Sequence, residues 1–90
     1  MKDESDKKFL QSYVYGIHGD FYVSTIYRLG SSGHGVWFYE TLAWIWKDSK
    51  RTKGIADNSG AMSKTGAYKQ HMEVIEQLEE TGEYKELEED

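Results

Sequence analysis

The residues of this chain best suited to acid–base chemistry are His71 and Glu40. His71 lies on the apolar stripe of a predicted helix, and Glu40 lies in a strand that this helix is expected to face. A histidine oriented by a carboxylate can act as a general base. A buried histidine also needs a hydrogen-bond partner, which Glu40 or Thr41 would supply. We favour the second role, in which Glu40 and His71 form a structural polar pair and no residue is catalytic.

Neither metal binding nor nucleophilic catalysis is predicted. The histidines His18, His34 and His71, with Glu40, are candidate ligands, but no two histidines stand three or four residues apart and no HExxH spacing occurs. The serines of the glycine-rich segment 30–35 lack a strand–turn–helix elbow. We therefore expect no metal, no cofactor and no enzymatic activity.

The glycine-rich segment 30–35 has backbone N–H groups that could bind a phosphate. Phosphate-binding loops usually run into the N-terminus of a helix, whereas this segment runs into a predicted strand. A hairpin connection between two strands is therefore the favoured interpretation.

A basic cluster follows directly after two tryptophans. Basic groups beside aromatic rings can hold a nucleotide by ion pairing and stacking. They can also dock on an acidic protein surface, or simply keep the end of a sheet from aggregating, and the sequence leaves these alternatives open. The predicted binding residues are Arg28, Trp44, Trp46, Lys47, Lys50, Arg51 and Lys53.

The elements that must position these residues are β-strands followed by one helix. Residues 12–18, 21–29 and 36–46 are rich in β-branched and aromatic residues, and 55–57 could add a short edge strand. Further on, apolar residues recur at helical spacing between Ser63, a candidate N-cap, and Gly82, a candidate C-terminal stop. The predicted fold is α+β, a small antiparallel sheet of three to four strands covered on one face by a C-terminal amphipathic helix.

The predicted organisation is a single domain over residues 1–90, which is enough chain for one domain. It comprises a lead-in segment, the antiparallel sheet, the helix and a solvated acidic tail. These segments are 1–11, 12–57, 63–81 and 83–90.

Composition narrows the range of functions. The chain carries 11 Lys and Arg against 16 Asp and Glu, a net charge of −5, which argues against general binding to DNA. It contains no cysteine, which excludes disulfides and thiolate zinc sites and suits a reducing compartment. The charged start 1–8 does not resemble a signal peptide, and the longest mostly apolar stretch, 36–46, is too short for a membrane-spanning helix. We expect a protein of the cytoplasm without membrane contact.

Thirteen aromatic residues are more than a thin core of this size can bury. The predicted strand 36–46 has apolar residues on both faces, so the face that the helix leaves uncovered must meet something else. Tyrosine and tryptophan are favoured interface residues. We expect a homodimer formed through the uncovered face or through an edge strand.

Two short motifs carry a resemblance. Tyr39-Glu40-Thr41 lies in a predicted strand, and Ser63, Ala67 and His71 recur at intervals of four in the helix. In this order they resemble a group of small uncharacterised phage proteins with a "YET" strand before an "SxxxAxxxH" helix. The likeness covers about half the chain, and it departs from that pattern at 65–66, where Thr-Gly replaces acidic residues. It implies a phage or prophage origin, hence the host cytoplasm, and a strand–strand–helix core, but no activity.

Three functions follow as hypotheses. The first is a small non-enzymatic phage accessory protein that binds a host protein, such as a defence protein, and inhibits or redirects it. The second is an oligomeric binder that sequesters a nucleotide signal. The third is a small enzyme that uses the pair His71 and Glu40. We rank them in this order.

Overall fold

The protein is a four-stranded antiparallel sheet with one helix packed across one face, which confirms the predicted α+β fold. The computed structural model describes residues 7–30 and 35–84. The strands lie side by side in chain order, each antiparallel to the next. The elements are β1 (Lys7–Gly16), β2 (Gly19–Leu29), β3 (Trp37–Lys47), β4 (Lys50–Ala61) and α1 (Lys64–Thr81).

Short connections explain the simple strand order. Ile17 and His18 form the turn between β1 and β2. Asp48 and Ser49 join β3 to β4, and both have positive φ angles, 55° and 63°, as a two-residue hairpin turn of type I′ requires. Strands β2 and β3 are antiparallel neighbours, which confirms the predicted hairpin, although 31–34 lie outside the described residues.

The sheet is larger than the sequence predicts. The described part of the lead-in, residues 7–11, belongs to β1, whose pairing with β2 continues to Lys7 through a register shift between Lys8 and Leu10. The predicted short strand at 55–57 is the middle of the twelve-residue β4. Glycine, Asp, Asn and Ser give β4 a low β-propensity, so its pairing with the long aromatic β3 decides its conformation. Of the predicted acidic tail 83–90, only residues 83–84 are described.

The predicted helix bounds are confirmed at both ends. The Ser63 hydroxyl accepts the backbone N–H of Gly66 at 3.0 Å, which caps the first turn. At the other end, Gly82 has a φ of 79° and donates its N–H to the Leu78 carbonyl at 2.9 Å. A Cβ at Gly82 would lie 2.9 Å from the Cβ of His18, so both the backbone angle and the packing require glycine there.

The apolar core lies between α1 and the sheet. Alternation along β2 directs Phe21, Val23 and Thr25 toward the helix and their neighbours away from it. Within the described ranges, no helix combines the length and the apolar character that crossing a membrane requires. The core residues are Val14, Phe21, Val23, Ala43, Val74, Ile75 and Leu78.

Candidate ligand-binding face

Four aromatic rings meet on the face of the sheet opposite α1, which we call the open face. Strand register places Tyr13, Tyr22 and Trp44 directly opposite one another on β1, β2 and β3. The Tyr22 ring lies 5.1 Å from that of Tyr13 and 5.8 Å from that of Trp44, between centroids. Trp46 adds contacts at 4.9 Å to Tyr13 and 5.7 Å to Tyr22. We call these four residues the aromatic cluster.

Arg51 of β4 lies over this cluster. Its guanidinium carbon is 4.7 Å from the ring centroid of Trp44 and 5.9 Å from that of Tyr22. Such a cation–π contact leaves guanidinium N–H groups directed around the ring, where they can bind an anion. The register supports this position, because Arg51 pairs with Trp46 and Gly54 pairs with Trp44. Gly54 has no side chain, and the Trp44 indole packs within 3.7 Å of where a Cβ would stand.

A pocket of about 450 Å³ opens beside the aromatic cluster. It forms because the small Ser24 stands between the larger Tyr22 and Ile26 on the same face of β2. Ser24 is buried and accepts a hydrogen bond from the Gln11 amide at 3.2 Å. Small-molecule sites are commonly of this size. The lining residues are Lys8, Tyr13, Tyr22, Ser24, Ile26, Leu42, Trp44, Trp46 and Arg51.

The charged residues that line this pocket are both positive, although the protein as a whole is acidic. They are Lys8 at the β1 end and Arg51 at the β4 end. Nearby on the open face, Glu40 forms a 2.8 Å ion pair with Arg28. The positive charge of Arg28 offsets the negative charge of Glu40, so this carboxylate contributes little negative potential at the pocket. The electrostatics therefore favour an anionic ligand.

The structure brings together three of the predicted binding residues. Trp44, Trp46 and Arg51 converge on the pocket. Arg28 lies on the same face, but its guanidinium holds Glu40 and does not line the pocket.

The predicted lysines lie elsewhere. Lys47 and Lys50 stand opposite each other beside the β3–β4 turn, and both are exposed. Lys53 lines a separate shallow groove with Tyr84, beyond the end of α1. These lysines are close to Trp44 and Trp46 in the sequence but do not share a site with them. The reason is that β4 is a strand with bulges, and successive side chains along it point in different directions.

Six residues that line the pocket were not among the predicted binding residues, and three of these carry an aromatic ring or a charge: Tyr13, Tyr22 and Lys8. Tyr13 and Tyr22 were counted only as part of the aromatic surplus, although Tyr22 alternates onto the face opposite Val23. Lys8 was assigned to the lead-in. Alternation backwards from Tyr13 would place Lys8 on the helix side, but a register shift between Lys8 and Leu10 pairs it with Ile26 on the open face, which alternation alone does not predict.

The predicted pair of Glu40 and His71 is wrong. Glu40 points to the open face. His71 belongs to α1, points to the opposite face of the sheet and is 1% exposed. Side chains alternate along a strand, so Glu40 and Thr41 cannot both face the helix. The His71 ring instead contacts the hydroxyl of Thr25 through Nδ1 at 2.7 Å and that of Ser12 through Nε2 at 2.9 Å.

These contacts belong to a buried polar seam, which we define as Ser12, Thr25, Thr41, Gln70 and His71. The Gln70 amide donates to the Thr41 hydroxyl at 3.0 Å, and the Thr41 and Thr25 hydroxyl oxygens are 2.6 Å apart. The Thr25 hydroxyl and Nδ1 of His71 are 2.7 Å apart, so the three side chains form a continuous hydrogen-bonded chain. Nε2 of His71 extends this chain to the Ser12 hydroxyl.

Burial lowers the pKa of the His71 imidazole below its ordinary value of 6.5. Both ring nitrogens are already engaged, and almost none of the side chain is accessible. His71 thus joins the helix to β1 and β2, and its position does not suit proton exchange with a substrate.

Comparison with other proteins gives no family. The chain matches no protein-family model, no curated protein and no solved structure. Within the described ranges, no three His, Asp or Glu side chains are grouped closely enough to hold a metal ion. The geometry of the open face is therefore what bears on function.

Proposed function

We propose that this chain is a non-enzymatic binding protein that captures a nucleotide on its open face. The observation that carries the proposal is the guanidinium of Arg51, 4.7 Å over the Trp44 ring, at the wall of a pocket of about 450 Å³. Aromatic rings offer stacking surfaces to any nucleobase, and stacking contributes roughly 1–3 kcal/mol per base. Arg51 supplies the geometry that binds phosphate oxygens.

The second cation suggests how much charge the ligand carries. Lys8 pairs with Ile26, four residues along β2 from Tyr22, so it stands roughly 13 Å from the level of the aromatic cluster. A ligand that reaches both Lys8 and Arg51 needs anionic groups along its length. Nucleotides with more than one phosphate, including dinucleotides, meet this requirement.

Two features support binding rather than catalysis. His71, whose pKa is lowered by burial, faces the sheet from α1 on the other side from the pocket. The carboxylate proposed as its partner, Glu40, is held by Arg28. A base and its orienting group therefore do not meet where a ligand could reach them.

The resemblance to small phage proteins supplies a setting for this proposal. A phage protein that holds a nucleotide signal in the host cytoplasm would lower its free concentration without modifying it. Sequestration needs a pocket and an adequate amount of protein, and it does not need a catalytic group.

The test is a calorimetric titration of the purified protein with nucleoside mono-, di- and triphosphates and with cyclic and linear dinucleotides. We expect one class to bind, and Trp44→Ala and Arg51→Ala each to weaken binding at least tenfold, about 1.4 kcal/mol. Lys53→Ala is the matched control, because Lys53 is also basic and on β4 but lies outside the pocket. Absence of binding by every nucleotide would refute the proposal.

A second candidate function is the capture of a host protein by the same face. It is favoured by Tyr15 and Ile17, which are 68% and 91% exposed and extend the apolar surface beyond the pocket toward the β1–β2 turn. A protein partner would use this extension. Substituting Tyr15→Ser with Ile17→Ser would then abolish complex formation with a purified host partner, whereas nucleotide binding would not change.

A further inference from the structure

We infer that the free edge of β1 is the site where a second copy of this chain docks, so that two sheets join into one of eight strands. The two β1 strands would run antiparallel about a two-fold axis. This inference concerns assembly and does not depend on the identity of the ligand.

The two edges of the sheet differ in how well they can accept another strand. Strand β4 has three register shifts against β3 and a positive-φ glycine at Gly60, and Lys50 and Lys53 lie along it. Bulges and lysines of this kind prevent edge-to-edge pairing. Strand β1 also has two lysines and one register shift, but they are confined to its start, and it is regular from Leu10 to Gly16. Among the described residues it pairs with β2 alone. Its outer edge therefore offers the better template.

Exposed apolar side chains flank the β1 edge on the open face. Tyr13 and Tyr15 are both exposed, and their rings stack with centroids 6.4 Å apart. With the two-fold axis near the centre of β1, Tyr13 of each copy would lie opposite Gln11 of the other. The partner strand would therefore cover the exposed tyrosines of both copies.

The helix presents a matching flank on the other face. His71 reaches β1 through Ser12, whereas Gln70 reaches toward β3 and β4. Successive residues of a helix are about 100° apart, so Tyr68 and Met72 lie on the same side of α1 as His71, the side that faces toward β1. Tyr68 is 54% exposed. A two-fold axis at this edge would therefore bring two helices side by side.

The charges along that flank are self-complementary. A groove of about 360 Å³ on α1 is lined by Tyr68 and Met72 together with Lys69, Glu73 and Glu76. An antiparallel partner helix of the same sequence sets the lysine of one copy near a glutamate of the other. At the strand ends, Lys7 and Lys8 of one copy approach the Asp20 end of the second. A second copy would therefore supply opposite charges both along the helix and at the ends of the strands.

The first test is sedimentation equilibrium of the full chain. We expect a dimer, and we expect Tyr68→Lys to weaken it at least tenfold, because the substitution places two like charges near the axis. Met62→Lys is the matched control, since Met62 is 64% exposed but follows the opposite edge strand. A wild-type monomer at every soluble concentration, or equal effects of the two substitutions, would overturn the inference.

The second test locates the contact. The chain has no cysteine, so a single introduced cysteine gives an unambiguous cross-link. Gln11→Cys, near the centre of β1, should join two chains through a short bis-maleimide, whereas Ser59→Cys on β4 should not. Circular dichroism establishes that each variant is folded before cross-linking. Cross-linking through Ser59→Cys and not through Gln11→Cys would show that the wrong edge was assigned.

Discussion

His71 is held by hydrogen bonds at both of its ring nitrogens. Gln70 donates to the Thr41 hydroxyl, which is 2.6 Å from that of Thr25, and Thr25 contacts Nδ1 of the imidazole. Each hydroxyl can both donate and accept, so these contacts are compatible with either neutral tautomer of His71. The hydrogen-bonded seam therefore accommodates a neutral imidazole that burial isolates from water.

Acid should weaken the fold through His71. The pKa of His71 is lowered in the folded protein, so below about pH 6.5 the unfolded chain binds a proton more readily than the native protein does. The contribution of His71 to the free energy of unfolding is then constant above that pH and falls as the pH drops toward the lowered pKa, with a slope of at most about 1.4 kcal/mol per pH unit. Urea titrations between pH 7.5 and pH 5 measure it.

The variant His71→Gln is the control for that pH dependence. It is less stable overall, but it lacks the titrating group, so its stability should change much less over the same pH range. A wild-type slope that His71→Gln reproduces would assign the pH dependence to another residue.

Thr25→Val should be among the more costly conservative substitutions in the chain. It keeps the shape of the side chain but removes the partner of Nδ1 of His71 and one of the partners of the Thr41 hydroxyl. Stranding a buried polar group costs about 1–3 kcal/mol. Thr52→Val, at an exposed hydroxyl on β4, should stay within about 0.5 kcal/mol of the wild type. Chemical denaturation of both variants compares them directly, and equal values would contradict the role given to the seam.

At the scale of elements, the sequence was informative where a local rule decides the structure. The helix was predictable because Ser63 and Gly82 act as caps by their own chemistry. The facing of β2 and β3 followed from alternation alone. Strand β4 was not predictable, because its residues favour turns and only its neighbour β3 holds it extended. The site was predicted only in part for the same reason. Trp44 and Trp46 were recognised from the sequence, whereas Lys8 comes near them only through the pairing of β1 with β2 and of β2 with β3.

The end of α1 gives an element-scale prediction. Gly82→Ala should destabilise the protein, because a Cβ there adds a 2.9 Å contact with His18 to the strain of a positive φ. Gly35→Ala is the matched control: Gly35 has a φ of 66°, but nothing lies within 4 Å of its added Cβ. Both variants lose roughly 1–2 kcal/mol to the backbone. Only Gly82→Ala should lose more, and thermal unfolding that ranks them equally would contradict the packing described for this helix end.

At the scale of the whole molecule, charge is divided between two sides. The pocket on the open face is lined by Lys8 and Arg51, whereas the exposed side of α1 carries Glu73, Glu76 and Glu79. An anionic ligand is thus attracted to one side of a protein whose net charge is −5. The sequence indicates this division only in part, because the net charge does not show that positive and negative residues lie on different sides of the folded protein.

The proposed nucleotide binding should accordingly depend on salt. Lys8→Ala should weaken binding about tenfold at low ionic strength, or 1.4 kcal/mol, and should make the affinity less sensitive to added salt. Lys47→Ala, which removes an exposed charge outside the pocket, should leave the affinity nearly unchanged. Titrations at several salt concentrations measure both effects. An identical salt dependence in wild type and Lys8→Ala would remove Lys8 from the site.

The polar seam also determines which alignment of β2 and β3 is acceptable. A slip of two residues would keep every side chain on its own face, so burial of apolar surface alone discriminates weakly against it. Such a slip would set Thr25 opposite Tyr39 or Ala43 in place of Thr41 and separate the two hydroxyls. Gln70 and His71 would then lose partners under the helix. A misaligned hairpin therefore cannot accept α1 without stranding buried polar groups, so the seam selects for the correct alignment of β2 with β3.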